Sequence, residues 1–458
     1  MSFPPTVRSR GRLARRTTRA LPLALLPLLA LLLAAGVARE AAAQPADSAA
    51  ALTLDAVHAL VATRSPRARA ADALARAAEA RVPGAARPAD PALQLGFMNY
   101  ALPGLRPDAT LGMTQLQLMQ MVPLPGKLAA AGGAARARAD AARARAADVG
   151  WEARTAAAMA FYERYEAAGT VVVARETRRL LEDAAALASA MYRVGDGRQA
   201  DVLRARVAIA RMDEEVVRMA AMQEAATARL AAAADTSPAA VAGAPVLPAF
   251  PADVPSLDSL ERLALAARPM LAAGAADVRA AAADATLARR ELWPDLQLGV
   301  QYGQRRMEMG VDRMGSLMVG ATLPVFARAR QLRMRDETAA MRAMADAELL
   351  AMRADTRARL GQAHAALVSA RRLAALYRTT VLPQAEAATT SSLASYRSGG
   401  VDFMTVLDNR MDVNRYRQEL LALDAAEGRA WAELEMLVGR PLVPASAHAP
   451  ARVAGGSR

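Results

Sequence analysis

Two pairs of short segments in this 458-residue chain alternate between polar and apolar residues and predict β-hairpins. Residues 92–100 read ALQLGFMNY, and residues 114–122 read TQLQLMQMV. Successive side chains of a strand point to opposite faces, so 114–122 has one face with Thr, Leu, Leu, Gln and Val and another with Gln and Met. The pattern returns in residues 295–303 and 316–323. These lengths approach the roughly 9 to 11 residues of a tilted transmembrane strand, although an ordinary soluble sheet fits the same alternation.

Long stretches with little or no proline predict helices of unusual length. A continuous helix over residues 127–192 would be about 99 Å long, and residues 328–396 are a counterpart that Pro383 should bend. Small or apolar residues at alternating spacings of three and four predict a coiled-coil seam, whose small side chains let helix axes approach closely. The seam comprises Leu360, Ala363, Leu367, Ala370, Ala374, Tyr377 and Val381.

The chain repeats its own pattern in the same order. YRVGDGRQADVLRARV begins at residue 192 and YRSGGVDFMTVLDNRM at residue 396, while PALQLG and PDLQLG begin at residues 91 and 294. We therefore predict two copies of one unit, each built as helix, two strands, very long helix, tight turn and helix. The turns fall at glycines, which adopt the left-handed conformation that ends a helix and reverses the chain.

The N-terminal segment resembles an export signal. Several arginines precede the apolar run LPLALLPLLALLL, and small residues follow, with Ala41 and Ala43 at positions that fit a cleavage site. A retained membrane anchor is the alternative, because residues 20–38 are uniformly apolar. The predicted domains are a signal peptide (1–43), a first structural repeat (44–235), a Pro-rich linker (236–255), a second structural repeat (256–441) and a flexible C-terminal tail (442–458).

Composition excludes several classes of function. The formal charge is +13, but residues 1–43 contribute +6 of it through seven Arg and one Glu. The other basic residues are scattered among acidic ones and do not form a stripe, which argues against nucleic-acid binding. The absence of Cys excludes disulfides, a catalytic thiol and a Cys-linked lipid anchor. The spacing of the three histidines, His58, His364 and His448, is too wide to indicate a metal site. The sequence also has no catalytic motif or cofactor-binding loop. We therefore predict no enzyme activity, no cofactor and no resident metal.

Four spanning strands are too few to close a barrel, because the smallest transmembrane barrels use eight. Three copies of the chain supply twelve strands, the first number that leaves room for a channel, and place twelve long helical segments in a ring. We therefore predict a mostly α-helical protein with a transmembrane β-barrel part: a long coiled-coil helical barrel joined to a twelve-stranded barrel that a homotrimer forms.

Four segments of this chain form a set: YRVG with ADVLRARV, LPQAEAA at residues 382–388, YRSGG with VLDNRMDV, and the closing ELEMLVGRPL. They are similar to motifs of the TolC family of outer-membrane efflux proteins, the outer membrane factors. The resemblance covers essentially the whole mature chain. It implies a homotrimer in the outer membrane that extends into the periplasm and passively conducts substrates from a periplasmic adaptor and an inner-membrane RND-type pump.

The resemblance also implies roles for residues near the two helical turns. Tyr396, Asp201 and Asp408 match a gate tyrosine, its acidic partner and an acidic ring, respectively. Val401 and Thr405 stand where the best-known member has a gate arginine and a second ring carboxylate, so a salt-bridged latch is not expected. Five residues are expected to face the adaptor at the tips: Val194, Gly195, Asp196, Gly399 and Gly400.

Methionine concentrates around both predicted hairpins, in residues 113–121 and 307–318. Thioethers suit Cu(I) and Ag(I), and these segments look like members that serve heavy-metal pumps of the CusC and CzcC type. Methionine as flexible packing or lipid-facing filler is the alternative. General drug efflux and a type I secretion duct remain alternative functions, and a periplasmic coiled-coil adaptor fits less well because it would lack the duplicated spanning strands.

Overall fold

The computed structural model describes residues 51–443 except 102, 105, 109–111 and 308–309. The predicted signal peptide and nearly all of the predicted C-terminal tail lie outside the described residues. No helix within residues 51–443, as far as they are described, is both long enough and apolar enough to cross a membrane.

The first half of the described chain contains helices and strands in the following order: α1 (Leu54–Arg64), α2 (Pro66–Ala85), β1 (Ala92–Met98), β2 (Tyr100–Ala101), β3 (Arg106–Pro107), β4 (Met113–Val122), α3 (Lys127–Val194) and α4 (Gln199–Ala233). The second half continues with a 3₁₀ turn (Pro238–Val241), α5 (Leu257–Ala267), α6 (Pro269–Arg290), β5 (Asp295–Met307), β6 (Gly310–Thr322), α7 (Gln331–Leu376), a π turn (Tyr377–Val381), α8 (Leu382–Arg397) and α9 (Phe403–Val438). The fold is mostly helical with a small sheet.

Each predicted hairpin is preceded by two helices, where the sequence analysis expected one. The breaks fall at Ser65 and Arg268, the residues before Pro66 and Pro269, whose ψ angles of 114° and 120° lie outside the helical region. A proline sterically disfavours the helical conformation of the residue before it and then starts the next helix well, because its missing N–H has no partner to lose there. The expectation of a single helix was therefore wrong.

The four main strands form one antiparallel sheet in the order β1–β4–β5–β6. The predicted hairpins are confirmed, since β1 pairs with β4 and β5 pairs with β6, and β4 pairs with β5 to join the two halves of the chain. The second hairpin is longer than predicted, because pairing continues to Met307 and Gly310. In the first hairpin, the pairing of β1 with β4 ends at Met98, and Asn99 has a left-handed φ of 54°. The short β2–β3 pair follows Asn99.

The register sorts the side chains of this sheet onto two chemically different faces. We call one the apolar face; its large hydrophobic side chains, all exposed in the single chain, are Leu93, Leu95, Phe97, Leu116, Leu118, Val122, Leu296, Leu298, Val300, Tyr302, Val311, Leu317 and Val319. We call the other the Gln–Met face; its amide and thioether side chains are Gln94, Met98, Met113, Gln115, Gln117, Met119, Met121, Gln297, Gln301, Met307, Met314 and Met318. The sheet therefore presents a bare hydrophobic surface on one side only.

The two long helical segments differ in continuity. Helix α3 has 68 residues and would be about 102 Å long at 1.5 Å per residue. In the second segment a π turn ends at Val381, two residues before Pro383, and the residues that flank it keep helical backbone angles. The bend predicted at Pro383 stays a prediction. Because proline cannot donate the usual backbone hydrogen bond, the chain adjusts its helical winding in the turn before it.

Helix α3 packs against α2, α4, α6 and α9, and α7 packs against α6 and α9. The Pro-rich segment returns to the core: Val241 is buried in the same hydrophobic cluster as Ala425, and Leu52 forms a β-bridge with Pro245. At the end of the helices furthest from the sheet along α3, a cluster that we call the tip cluster joins both helical hairpins. It comprises Ala174, Leu181, Ala184, Ala188, Ala205, Met212, Tyr396, Phe403, Val406 and Leu407.

Candidate functional site

The two helical hairpins turn at glycines that satisfy the last carbonyls of the preceding helix. Gly195 has a φ of 87°, and the backbone N–H groups of Asp196 and Gly197 both donate to the carbonyl of Met191 at 3.0 Å. In the second turn Gly399 has a φ of 74°, and Gly400 donates to Ser395 O at 2.7 Å. These bonds terminate a helix and reverse the chain within a few residues.

Both turns lie at the same end of the molecule, because residues next to each of them meet in the tip cluster. The predicted adaptor-facing residues are exposed there, and the side chain of Val194 is 71% accessible. A Cβ atom built on Gly195 or on Gly399 would have no neighbour within 4 Å. The structure thus brings the five predicted tip residues to one accessible surface.

The structure places two of the predicted gate residues in contact. The Tyr396 hydroxyl on α8 donates to Asp201 Oδ2 on α4 at 3.4 Å, and both residues are buried, at 6% and 4% exposure. The Tyr396 ring packs on Phe403 with 5.2 Å between ring centroids. This hydrogen bond ties the second hairpin to the first beside the turns.

The environment of this pair keeps the tyrosine protonated. Burial raises the pKa of the Tyr396 phenol, and the negative charge of Asp201 together with the hydrogen bond to it raises that pKa further. A phenol that stays neutral well above neutral pH can donate this hydrogen bond under physiological conditions.

Arg204, one turn after Asp201, was missed by the sequence analysis. Its Nη1 lies 3.9 Å from Asp201 Oδ1 and supplies positive charge beside the tyrosine–aspartate pair. The spacing of three residues on a helix brings such a pair together and could have indicated it. Val401, at the position where the resemblance expects an arginine, instead packs against the tip cluster.

Asp408 is exposed on α9 and does not join the Tyr396–Asp201 contact. It lines a groove of about 780 Å³ between α4 and α9. Arg204 and Arg211 border the same groove, together with apolar side chains that include Leu203 and Met404. Asp408 is therefore accessible to solvent and to ions near the turns, in a surface of mixed charge.

Within the described part of the chain, no group of three or more His, Asp or Glu side chains is placed to hold a metal ion. The two methionine-rich segments singled out in the sequence come together on the Gln–Met face of the sheet, where β4 and β6 flank β5.

Residues 260–440 match the family model of the outer membrane efflux proteins. The sequence matches none of the curated proteins.

Several solved structures have the same fold. CusC, described in connection with folding and transmembrane channel formation, matches with a TM-score of 0.72 at 17% identity over 85% of this chain and 93% of its own. The outer membrane protein VceC from Vibrio cholerae matches with a TM-score of 0.72 at 18% identity, over 85% and 96%. The open state of the Neisseria gonorrhoeae MtrE outer membrane channel matches with a TM-score of 0.69 at 16% identity, over 85% and 90%. The family model therefore matches the second half of the chain, and the three solved structures share its fold.

Proposed function

We propose that this chain is the outer-membrane channel subunit of a tripartite efflux system, in which three copies form one continuous conduit. The observation that carries this proposal is the apolar face of the sheet, where thirteen large hydrophobic side chains are exposed side by side. A contiguous apolar surface of this kind on a soluble protein would favour aggregation, whereas a lipid bilayer covers it.

The edges of the sheet support assembly with identical copies. Within the described sheet, β1 and β6 each pair with one strand only, so each leaves a row of backbone groups without a strand partner. In the hydrocarbon region those groups must be satisfied by protein. Pairing β6 of one copy with β1 of the next meets this requirement, and three copies close a twelve-stranded barrel. The same order of helices and strands in both halves of the chain is consistent with the internal twofold repeat.

The helical part extends the barrel into the periplasm. Helices α3, α4, α7, α8 and α9 from three copies surround the conduit, and the turns at Gly195 and Gly399 form its far end. We propose that these exposed turns contact a periplasmic adaptor, which connects the channel to an inner-membrane pump. The chain itself performs no chemical reaction, and substrates pass through it passively.

The constriction of this conduit is proposed to lie beside the turns. The Tyr396–Asp201 hydrogen bond holds the second hairpin against the first, and Asp408 of three copies supplies a ring of carboxylates. Clustered carboxylates attract cations and resist anions.

We propose heavy-metal cations of the copper and silver type as the cargo, with general drug efflux as the alternative. The placement of methionine on the Gln–Met face supports the metal cargo. Growth of a deletion strain on copper, silver, zinc and organic drugs separates the two: selective sensitivity to soft metals is expected, and equal sensitivity to dyes and antibiotics would contradict the metal cargo.

Planar lipid bilayers containing the purified protein test the channel itself. We expect discrete ion-conducting events with a preference for cations, and absence of conductance would contradict the proposed function. Asp408→Asn should weaken the cation preference. Glu419→Gln is a matched control, because Glu419 is exposed on the same face of α9 but about 16 Å further from the turn. Unchanged selectivity in Asp408→Asn would remove Asp408 from the constriction.

A further inference from the structure

Every methionine of the described four-stranded sheet lies on the Gln–Met face, and the large aliphatic and aromatic side chains of the sheet lie on the opposite face. Methionine and leucine are close in volume and exchange readily in packing roles. If methionine served here only as apolar filler, it would be shared between the two faces. The strict separation indicates that the thioether itself matters on the Gln–Met face.

Two of these methionines converge over one glycine. The register aligns Met119 of β4, Gly299 of β5 and Met318 of β6 in a single row across three strands. A Cβ atom built on Gly299 would lie 3.2 Å from Met318 Cε and 3.6 Å from Met119 Cγ. Both side chains therefore lean from opposite sides into the space that a larger residue would fill, and they cover the buried glycine.

A second pair lies four residues further along β5 and thus about 13 Å away. Here one methionine is in register with the glycine and the other reaches it diagonally, because Met113 pairs with Arg305. Gly303 is buried and pairs directly with Met314. A Cβ atom built on Gly303 would lie 3.3 Å from the sulfur of Met113, which reaches it from the other neighbouring strand. Two methionine pairs, each across a glycine, are therefore spaced along the strand direction.

The surroundings of the first pair are polar but uncharged. At the second pair, the register places Arg305 opposite Met113, and Asp312, the partner of Arg305, lies on the same face two residues from Met314. Between the two pairs, Gln301 Nε2 donates to Gln115 Oε1 at 2.5 Å, and Gln117 Nε2 lies 4.0 Å from Met318 Sδ. Converging thioethers prefer soft monovalent cations over hard cations such as Mg²⁺ or Ca²⁺. An uncharged two-sulfur site also binds more weakly than a thiolate site, so a bound ion can leave it again.

We propose that Met119 with Met318, and Met113 with Met314, form two successive exchangeable sites for a soft monovalent cation, Cu(I) or Ag(I), along the wall of the conduit. This inference rests on the proposed function, which places the Gln–Met face inside the barrel. It assigns the selectivity for a soft cargo to the sheet, separately from the carboxylates at the turns.

Titration of the purified full-length protein in detergent with silver nitrate, in chloride-free buffer, tests the proposal. We expect wild-type protein to bind Ag(I), and the combined variant Met113→Leu, Met119→Leu, Met314→Leu and Met318→Leu to bind at least about 10-fold more weakly. Each change conserves volume and should leave the fold intact. Met341→Leu with Met344→Leu is the control, because these two methionines are exposed on α7, away from the sheet, and their loss should leave binding unchanged.

A second measurement uses the unmodified chain. Ag(I) should protect the four paired methionines from chemical oxidation, detected by mass spectrometry of peptides, while Met341 and Met344 remain reactive. The absence of Ag(I) binding, equal binding by the four-leucine variant, or uniform protection of all methionines would overturn the proposal.

Potassium conductance in bilayers separates this inference from the proposed function. A channel that conducts potassium but fails the silver tests would overturn only the cation sites. A protein that does not conduct potassium would overturn the proposed function and the cation sites with it.

Discussion

At Gly428 the backbone of α9 lies directly against a buried aromatic ring. A Cβ atom built at this position would lie 2.2 Å from the Tyr162 ring, and Tyr162 is almost completely inaccessible in its core cluster. The glycine is thus required by the close approach of α9 to α3, and not by a special backbone conformation.

Gly428→Ala should destabilise the protein by about 1–3 kcal/mol, because the ring has no space to move and overpacking forces a shift of the helices. The measurement is the midpoint of thermal denaturation in detergent. Gly361→Ala is the matched control: Gly361 lies within α7 with no atom within 4 Å of the added carbon, so alanine there should stabilise the helix by about 0.5–1 kcal/mol. Equal effects of the two changes would contradict the close approach.

Tyr396→Phe should open the proposed constriction more often, because it removes the hydroxyl that ties α8 to Asp201. Burial and Asp201 raise the pKa of Tyr396, so the protonated phenol stabilises its contact with Asp201. This stabilisation of the contact is complete below the ordinary tyrosine pKa of about 10. It is lost as the pH rises through the raised pKa. Wild-type conductance in bilayers should therefore increase at strongly alkaline pH, and Tyr396→Phe should show high conductance already at neutral pH.

Tyr192→Phe provides the comparison for that experiment, because Tyr192 occupies the equivalent position before the first turn and is exposed. Its conductance should equal that of the wild type at every pH. If Tyr396→Phe conducted at neutral pH no more than the wild type and Tyr192→Phe, a gating role for the hydrogen bond would be contradicted.

Single residues differ in how far the sequence could predict them. The turns at Gly195 and Gly399 follow from local glycine chemistry. The contact between Tyr396 and Asp201, 195 positions apart, was reached only through the resemblance, since no local pattern links such distant residues. Gly428 carried no signal at all, because its constraint comes from a side chain on another helix.

At the scale of elements, one buried lysine joins the sheet to the helices. Lys127, the single lysine of the chain, begins α3, and its Nζ donates to Asp295 Oδ1 at 2.7 Å and to Trp293 O at 2.9 Å. Its side chain is only 5% exposed. Asp295 begins β5, so this contact fixes the start of the longest helix against the strand that follows α6.

Lys127→Met should destabilise the protein by about 3 kcal/mol, because it leaves the Asp295 carboxylate without its positive partner in a largely buried site. Lys127→Met with Asp295→Asn should recover most of that loss, as measured by denaturation in detergent. Arg138→Met removes an exposed partner of Asp284 and should cost no more than about 1 kcal/mol. A loss in Lys127→Met as small as that in Arg138→Met would show that the junction does not depend on this lysine.

The types and order of the main elements could be predicted from hydrophobic periodicity, because long helices and alternating strands give strong local signals. The helix boundaries at Pro66 and Pro269 could have been predicted from the effect of proline on the preceding residue, Ser65 or Arg268. The continuation of the second hairpin to Met307 could not be predicted from the sequence. Its outer residues include Gly and charged side chains, which do not alternate clearly between polar and apolar.

At the scale of the whole molecule, the apolar face explains why the chain would need both lipid and copies of itself. Neighbouring positions of β6 point to opposite faces, so the two faces can be tested one residue apart. Leu317 is 75% exposed on the apolar face, and Ser316 lies on the Gln–Met face beside Gln301.

Leu317→Arg should abolish assembly in the outer membrane, because an arginine near the middle of the surface proposed to face lipid costs about 2–4 kcal/mol. Ser316→Arg should assemble normally and change only ion selectivity, because its side chain would lie in water inside the barrel. The amount of each protein in isolated outer membranes is the measurement. Equal assembly of both variants would contradict the assignment of the two faces.

The number of chains in the detergent-extracted particle tests the central claim most directly, since four strands cannot close a barrel alone. Native mass spectrometry of that particle should show three copies, which separate only when the fold is lost. A single copy that stays monodisperse in buffer without detergent would contradict the account.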